Sequence, residues 1–241
     1  MLSADELARH VQSAVESFWF KRDEQTARLS DQGISGGAAR ANGHLGDFTN
    51  LVTQVFVEAG VPPASIRSGA PYVPGYYRVR KQWDLVVKHR GHLVAAVEFK
   101  SQVGSVGKNF NNRFEEALGT ATDTHAAQRK YGAFGEVPPW LAYVFVLQES
   151  AETERMARDA AALFPVDPQF VGLSYSQRYQ LMISRFIGDQ IYDAGWFITT
   201  KRDFAGTVSY QEPLATACMD AFIAAVAGRV NYVNAVVAKE N

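Results

Sequence analysis

The sequence predicts an α/β fold, a mixed central β-sheet flanked by helices, and three observations carry that prediction. Short apolar, β-rich runs end at polar turns, longer segments repeat apolar residues at helical spacing, and the two kinds alternate along the chain. With 241 residues and 47% hydrophobic content there is enough apolar material for one substantial core. No internal repeat, low-complexity tract or linker divides the chain, so a single domain over residues 1–241 is expected.

Ser3 followed by Glu6 is a capping-box pattern, and the apolar spacing after it predicts a helix from Ala4 to Leu29. Ser30 to Gly46, with Gly33, Gly36, Gly37 and Gly43, reads as a loop. Phe48, Leu51, Val52, Val55 and Phe56 form the apolar stripe of a second helix over 47–59, stopped by Pro62-Pro63. Tyr72 to Lys81 reads as a turn with aromatics interleaved among cations. It leads into two β-rich runs, Gln82 to Val87 and Leu93 to Lys100, joined by the polar turn Lys88 to His92. A helix is expected over 109–131, then a strand from Trp140 to Leu147 whose continuous apolar character predicts burial on both faces. Three more helices are expected over 152–163, 176–194 and 213–230.

The formal charge of -1 and a pI near 6.5 give no global electrostatic reason to bind nucleic acid, so a DNA site would have to come from local clusters of cations. The single cysteine, Cys218, cannot form an intrachain disulfide, and its neighbours Ala217, Met219 and Phe222 suggest a small buried hydrophobe. The five histidines show no spacing that suggests structural zinc. No basic-then-apolar leader opens the sequence and no run approaches the roughly 18 apolar residues of a membrane span, so a cytoplasmic protein with no membrane partner is expected.

Chemistry concentrates on Asp84 and, thirteen intervening residues later, Glu98-Phe99-Lys100. Side chains alternate along a strand, so Glu98 and Lys100 share one face, and an antiparallel partner strand would bring Asp84 beside them. Charge inside the apolar run Leu93 to Phe99 costs several kcal/mol if unpaired, so it requires a partner or a function. Hydrolysis of a phosphodiester needs an activated water and neutralised phosphoryl charge, which Mg2+ supplies when hard oxygen ligands leave coordination positions open. Asp84 and Glu98, with the Phe99 backbone carbonyl, are the candidate ligands, and Lys100 would orient or help deprotonate the water. Glu58 is the leading candidate for a third carboxylate. Asp47, eleven residues earlier and about 20° away on the helical wheel, competes with it, as do Glu115 and Glu116, although Asp47 would equally serve as a helix cap.

Asp84 with Glu98-Phe99-Lys100 resembles the PD-(D/E)xK nuclease core, with Trp83 where proline is common. The longer text is similar to the XhoI-type family of type II restriction endonucleases: Trp83 to Val87, then Ala96 to Gly104, then Gly107 to Gly119, with Pro74 to Arg78 before and Arg178-Tyr179 and Ile191 to Ala194 after. That resemblance implies a restriction-endonuclease-like fold and Mg2+-dependent cleavage of double-stranded DNA at the palindrome CTCGAG, leaving 5′ overhangs. It also implies a homodimer, with a cognate DNA methyltransferase as functional companion. Arginine, lysine and asparagine suit base and phosphate contacts, and the candidates are Arg78, Arg80, Lys81, Asn111, Asn112, Arg113, Lys201 and Arg202. Asn111 and Asn112 read equally as N-caps of their helix. A structure-selective or repair nuclease, and a non-catalytic DNA-binding protein, remain alternatives on the residues alone.

Overall fold

The computed structural model describes residues 3–31, 42–158 and 163–239. The capping box forms: Ser3 Oγ donates to Glu6 Oε2 at 2.8 Å and the Glu6 N–H donates back to Ser3 Oγ at 3.3 Å. Helix α1 runs Ala4–Asp31 and α2 runs Gly46–Glu58, so both come close to their expected bounds. Most of the expected glycine-rich loop lies outside the described residues. Its end, Asn42–Leu45, is a 3-10 turn that buries His44 and Leu45.

Among the described residues eight strands follow in chain order: β1 Ile66–Ser68, β2 Tyr72–Pro74, β3 Arg80–Gln82, β4 Leu85–His89, β5 His92–Gln102, β6 Leu141–Gln148, β7 Ala194–Arg202 and β8 Val208–Gln211. Six form one mixed sheet in the order β1-β4-β5-β6-β7-β8, while β2 and β3 pair as a separate small ribbon. The expected hairpin is antiparallel, with Leu85 opposite Val97. Its turn places both Arg90 and Gly91 at positive φ (49° and 89°), the requirement of a two-residue type I′ turn that matches strand twist.

Parallel strands β5, β6 and β7 advance in one direction across the sheet, and right-handed crossovers then put both intervening helices on the same face. Those helices are α3, Val106–Tyr131, and α5, Tyr175–Gly188; their Ala121, Tyr179 and Ile183 pack with Ala96, Tyr143 and Phe145. On the other face α1, α2 and α6 (Met219–Val237) set Phe18, Phe48 and Phe222 against Val97, Val144 and Trp196. A mixed sheet between two helical layers is the fold class the sequence predicts. No helix among the described residues is long and apolar enough to cross a membrane.

Several expected boundaries are corrected. The run Gln82 to Val87 is divided: Gln82 ends β3, and Trp83 and Asp84 precede β4. Tyr72 to Lys81 is the β2–β3 ribbon rather than a simple turn. Over 152–163 only one turn of helix forms, α4 at Ala151–Glu154, capped by Ser150 and ended where Arg155 turns extended; residues 159–162 lie outside those described. The helix expected to reach Ala194 stops at Gly188, and Ala194 begins β7, a central strand the sequence reading missed. The last helix starts at Met219 rather than Pro213, with the Met219 N–H donating to Glu212 Oε1 at 2.9 Å. Cys218 is partly buried, its thiol donating to the Ala215 carbonyl, so it is less enclosed than expected.

Candidate active site

The site lies where β4 stops and β5 continues. β5 has eleven residues against five in β4, so Phe99 has no residue of β4 opposite it. Asp84, just outside β4, fills that place with its side chain, and the Phe99 N–H donates to Asp84 Oδ2 at 2.8 Å. Backbone groups of successive strand residues turn to opposite edges. The Ala96 N–H bonds Trp140 O on the β6 side, so Phe99, of the other parity, turns both its N–H and its carbonyl toward Asp84.

Alternation sets Glu98 and Lys100 on the same face as Ala96, as the sequence implies. Glu98 is only 3% exposed, yet its charge is answered twice. Lys100 Nζ donates to Oε1 at 2.5 Å, and Lys81 Nζ, from β3, stands 3.4 and 3.2 Å from the two oxygens. Burial lowers the Lys100 pKa, but the charge and hydrogen bond of Glu98, with Asp84 and Glu116 behind them, outweigh burial and raise it. Lys100 in this arrangement is an ammonium, a donor that can orient a water or offset phosphoryl charge; it has no lone pair to accept the water's proton.

Asp84, Glu98, Lys100, Lys81 and Gln82 line a cleft of about 600 Å³ with Gly43, Gly46, Thr49 and Asn50 opposite. Two carboxylates and a carbonyl turned to one edge are hard oxygen donors, the kind a small divalent cation takes. The third carboxylate expected from the sequence is not there. Glu58 is exposed on the far end of α2, accepting from Gln54 at 3.0 Å and lining a separate depression with Leu7 and Asp220. Asp47 is not a helix cap; Lys21 donates to it at 2.7 Å and Ser17 also bonds it, and these bonds hold its pKa low. Glu116 pairs with Arg113 and Glu115 is exposed. Among the described residues no three acidic, histidine or cysteine side chains gather as a metal cluster.

The candidate DNA contacts divide into two groups. Arg80 and Lys81 lie on β3 beside the cleft, with the Arg80 guanidinium 4.1 Å over the Tyr72 ring. Asn111 and Asn112 are exposed in the second turn of α3. They are not N-caps, because the helix begins at Val106, whose N–H donates to Glu152 at 2.8 Å. The other candidate cations, like Lys81, have partners within the protein. Arg78 donates to Asp123 at 2.8 Å and to the Gly119 carbonyl, and Arg113 donates to Gln102 at 3.3 Å. Arg202 pairs with Asp23 and lies 5.1 Å over Trp19; Lys201, 54% exposed, is 3.8 Å from Glu149.

Sequence reasoning missed two features. Thr49 and Asn50 reach the cleft from α2, and no motif marks them. Buried Asp123 organises the β2–β3 ribbon by accepting from the N–H groups of Tyr76 (2.9 Å) and Tyr77 (2.7 Å) as well as from Arg78. Gly75 passes so close that a Cβ there would overlap the carboxylate. The ribbon's exposed Tyr77 and Val79 are thereby presented on a rigid base. Burial raises the Asp123 pKa, but the bonds from Tyr77, Arg78 and Tyr76 prevail and hold it below the ordinary 3.8. A depressed carboxylate stabilises the fold above its ordinary pKa, and that contribution is lost as pH falls through the folded value. Asp123→Asn is therefore expected to cost about 1–3 kcal/mol in urea melts at pH 7, with the gap to the native protein shrinking below pH 3.8. A gap that stays constant with pH would show that the charge on Asp123 is not what stabilises.

The family model described as "Restriction endonuclease XhoI" matches residues 23–212. The chain is 37% identical over 197 residues to a "Type II restriction enzyme XhoI" of Xanthomonas vasicola, covering 77% of each chain. It is 34% identical over 184 residues to a "Type II restriction enzyme BstVI" of Geobacillus stearothermophilus, covering 73% of this chain and 82% of the relative. A third relative, "Type II restriction enzyme AbrI" of Azospirillum brasilense, is 38% identical over 165 residues, 65% of this chain and 73% of the relative. No solved structure matches significantly.

Proposed function

The chain belongs to the XhoI family of type II restriction endonucleases, and from that premise we propose that it cuts both strands of DNA at the palindrome CTCGAG, with Mg2+, leaving 5′ overhangs. Its class is that of a site-specific deoxyribonuclease acting on double-stranded DNA. The observation that carries the proposal is the meeting of Asp84, Glu98 and Lys100 at the open edge of β5, where Asp84 takes the Phe99 N–H.

Asp84, Glu98 and the Phe99 carbonyl are the residues that would hold Mg2+. When bound, that ion would neutralise charge on the phosphoryl oxygens and acidify a water. The Phe99 bond fixes the Asp84 carboxylate on the backbone, so the two acidic groups keep their separation without relying on a flexible loop. Lys100 would orient the water and offset phosphate charge through its N–H donors. Arg80 on β3 and the exposed Asn111 and Asn112 on α3 would approach DNA, Lys81 would do so by leaving Glu98, and Arg78 and Arg113 would act through the segments they brace.

A palindrome has two-fold symmetry, and cutting both of its strands with equivalent sites calls for a homodimer related by the same axis. The protein would work in the cytoplasm with a cognate methyltransferase as functional companion. Digestion of a long mapped DNA in Mg2+, followed by sequencing of the ends, checks the whole reading. Discrete cuts inside CTCGAG with 5′ extensions are expected. Cuts confined to branched DNA, or no cuts by folded protein, would sink it.

A further inference from the structure

We propose that Lys81 is the resident counter-ion of Glu98, keeping the carboxylate pair closed to divalent cations until DNA draws the lysine away. The inference rests on the endonuclease reading and adds a step that precedes its chemistry. Lys81 Nζ lies astride the Glu98 carboxylate, 3.4 and 3.2 Å from its two oxygens, and also donates to the Gln82 carbonyl at 2.5 Å. Lys100 Nζ bonds the same carboxylate. Asp84 and Glu98 bring two negative charges and the two lysines bring two positive ones, so the cluster is already neutral. A divalent cation entering with both ammonium groups in place would give a half-buried site a charge of +2, a strongly unfavourable state where Glu98 is 3% exposed.

One of the lysines must therefore give way, and the geometry selects Lys81. Lys100 is two residues from Glu98 on the same strand and face, so its reach is limited by β5 itself. Lys81 sits on the β2–β3 ribbon, a separate sheet from the strand that carries Glu98, and reaches the carboxylate from the cleft's rim on a flexible four-carbon stem. Its neighbour Arg80 and the exposed Tyr77 are on the same ribbon, so a duplex docking there offers phosphates within the ribbon's own reach. A phosphate gives the ammonium a new anionic partner and frees Glu98 Oε2, while Lys100 keeps Oε1. Loading of the cation is then coupled to substrate, and the free enzyme holds it weakly.

Mn2+ alone is the probe, titrated into the full chain without DNA and followed by paramagnetic resonance of the free ion, a readout independent of cleavage. Lys81→Gln, and Lys81→Met as a second variant, are expected to bind Mn2+ at least about tenfold more tightly than the native protein. Lys81→Arg keeps the charge and stays within about threefold. The gain disappears in the double variant Lys81→Gln/Glu98→Gln. Adding a duplex that carries the mapped cut site tightens Mn2+ binding to the native protein by about tenfold or more, and to Lys81→Gln far less. Unchanged affinity in both folded neutral variants, or a gain that survives removal of Glu98, overturns the proposal. A protein that cuts at its palindrome while showing either result loses only the counter-ion role; failure of the cleavage map sinks the endonuclease reading instead.

Discussion

Lys100→Ala is expected to lower the single-turnover cleavage rate by about 10²–10⁴-fold while changing duplex affinity in EDTA by less than about threefold. Lys100 is carried by the same strand as Glu98, and its bond to Oε1 at 2.5 Å sets where its ammonium points. Removing it deletes a group aimed at the place where water and phosphate would meet. The fold is expected to survive, because Lys81 still answers the buried Glu98 charge. The pH dependence of this pair has a definite sign. A lysine whose pKa is raised in the folded state contributes stability that is full below its ordinary 10.5 and is lost as pH rises through the higher folded value. Cleavage near the native rate by Lys100→Ala, measured by quench of plasmid digestion in Mg2+, would refute the role given to this residue.

Arg229→Met is expected to have the largest effect on stability, about 3–5 kcal/mol, with little effect on cleavage by the folded protein at low temperature. From α6, the buried Arg229 donates to the Val94 carbonyl at 2.8 Å, to Leu93 at 3.0 Å and to Pro138 at 2.7 Å. Its guanidinium thus fastens one helix to the start of β5 and to the segment entering β6. Methionine fills similar space but supplies no donor, and a buried acceptor left without one costs about 1–3 kcal/mol. For a chain of this size each kcal/mol shifts the melting temperature by about 2–4 °C, so a drop on the order of 10 °C is expected by calorimetry. A variant melting within about 2 °C of the native protein would show that the three bonds are energetically idle.

The catalytic candidates were legible because strand periodicity is simple. Two residues separate Glu98 from Lys100, so they had to share a face, and the polar turn at Lys88 to His92 required an antiparallel return that brought Asp84 alongside. Lys81 was legible only as a cation near DNA; that it answers Glu98 depends on Trp83 and Asp84 separating β3 from β4, a break no local pattern announces. β7 was missed because the amphipathic stripe of α5 was read past Gly188 and Gln190, where positive φ at Gln190 turns the chain back to the sheet. Trp196-Phe197-Ile198 is apolar on both faces, and such a run has no period to separate strand from buried helix. The third carboxylate failed for a different reason. Glu58 was placed correctly on its helix, but one helix can turn its end toward either layer of a sandwich, and tertiary packing alone decides which.

The difference in length between β4 and β5 has a consequence for inheritance. The candidate catalytic groups stand where pairing to β4 ends, while β5 stays paired to β6 as far as Gln102, so the strand that carries Glu98 and Lys100 does not depend on Asp84 for its place in the sheet. On the role proposed for Asp84, changing it to a residue without a carboxylate is expected to silence the site while removing its bond from the Phe99 N–H and its attraction for Lys100. For a deoxyribonuclease of this class, that puts inactive, folded alleles one codon away. A lineage could then carry the gene as a dormant, well-folded protein and regain the activity by one reversion.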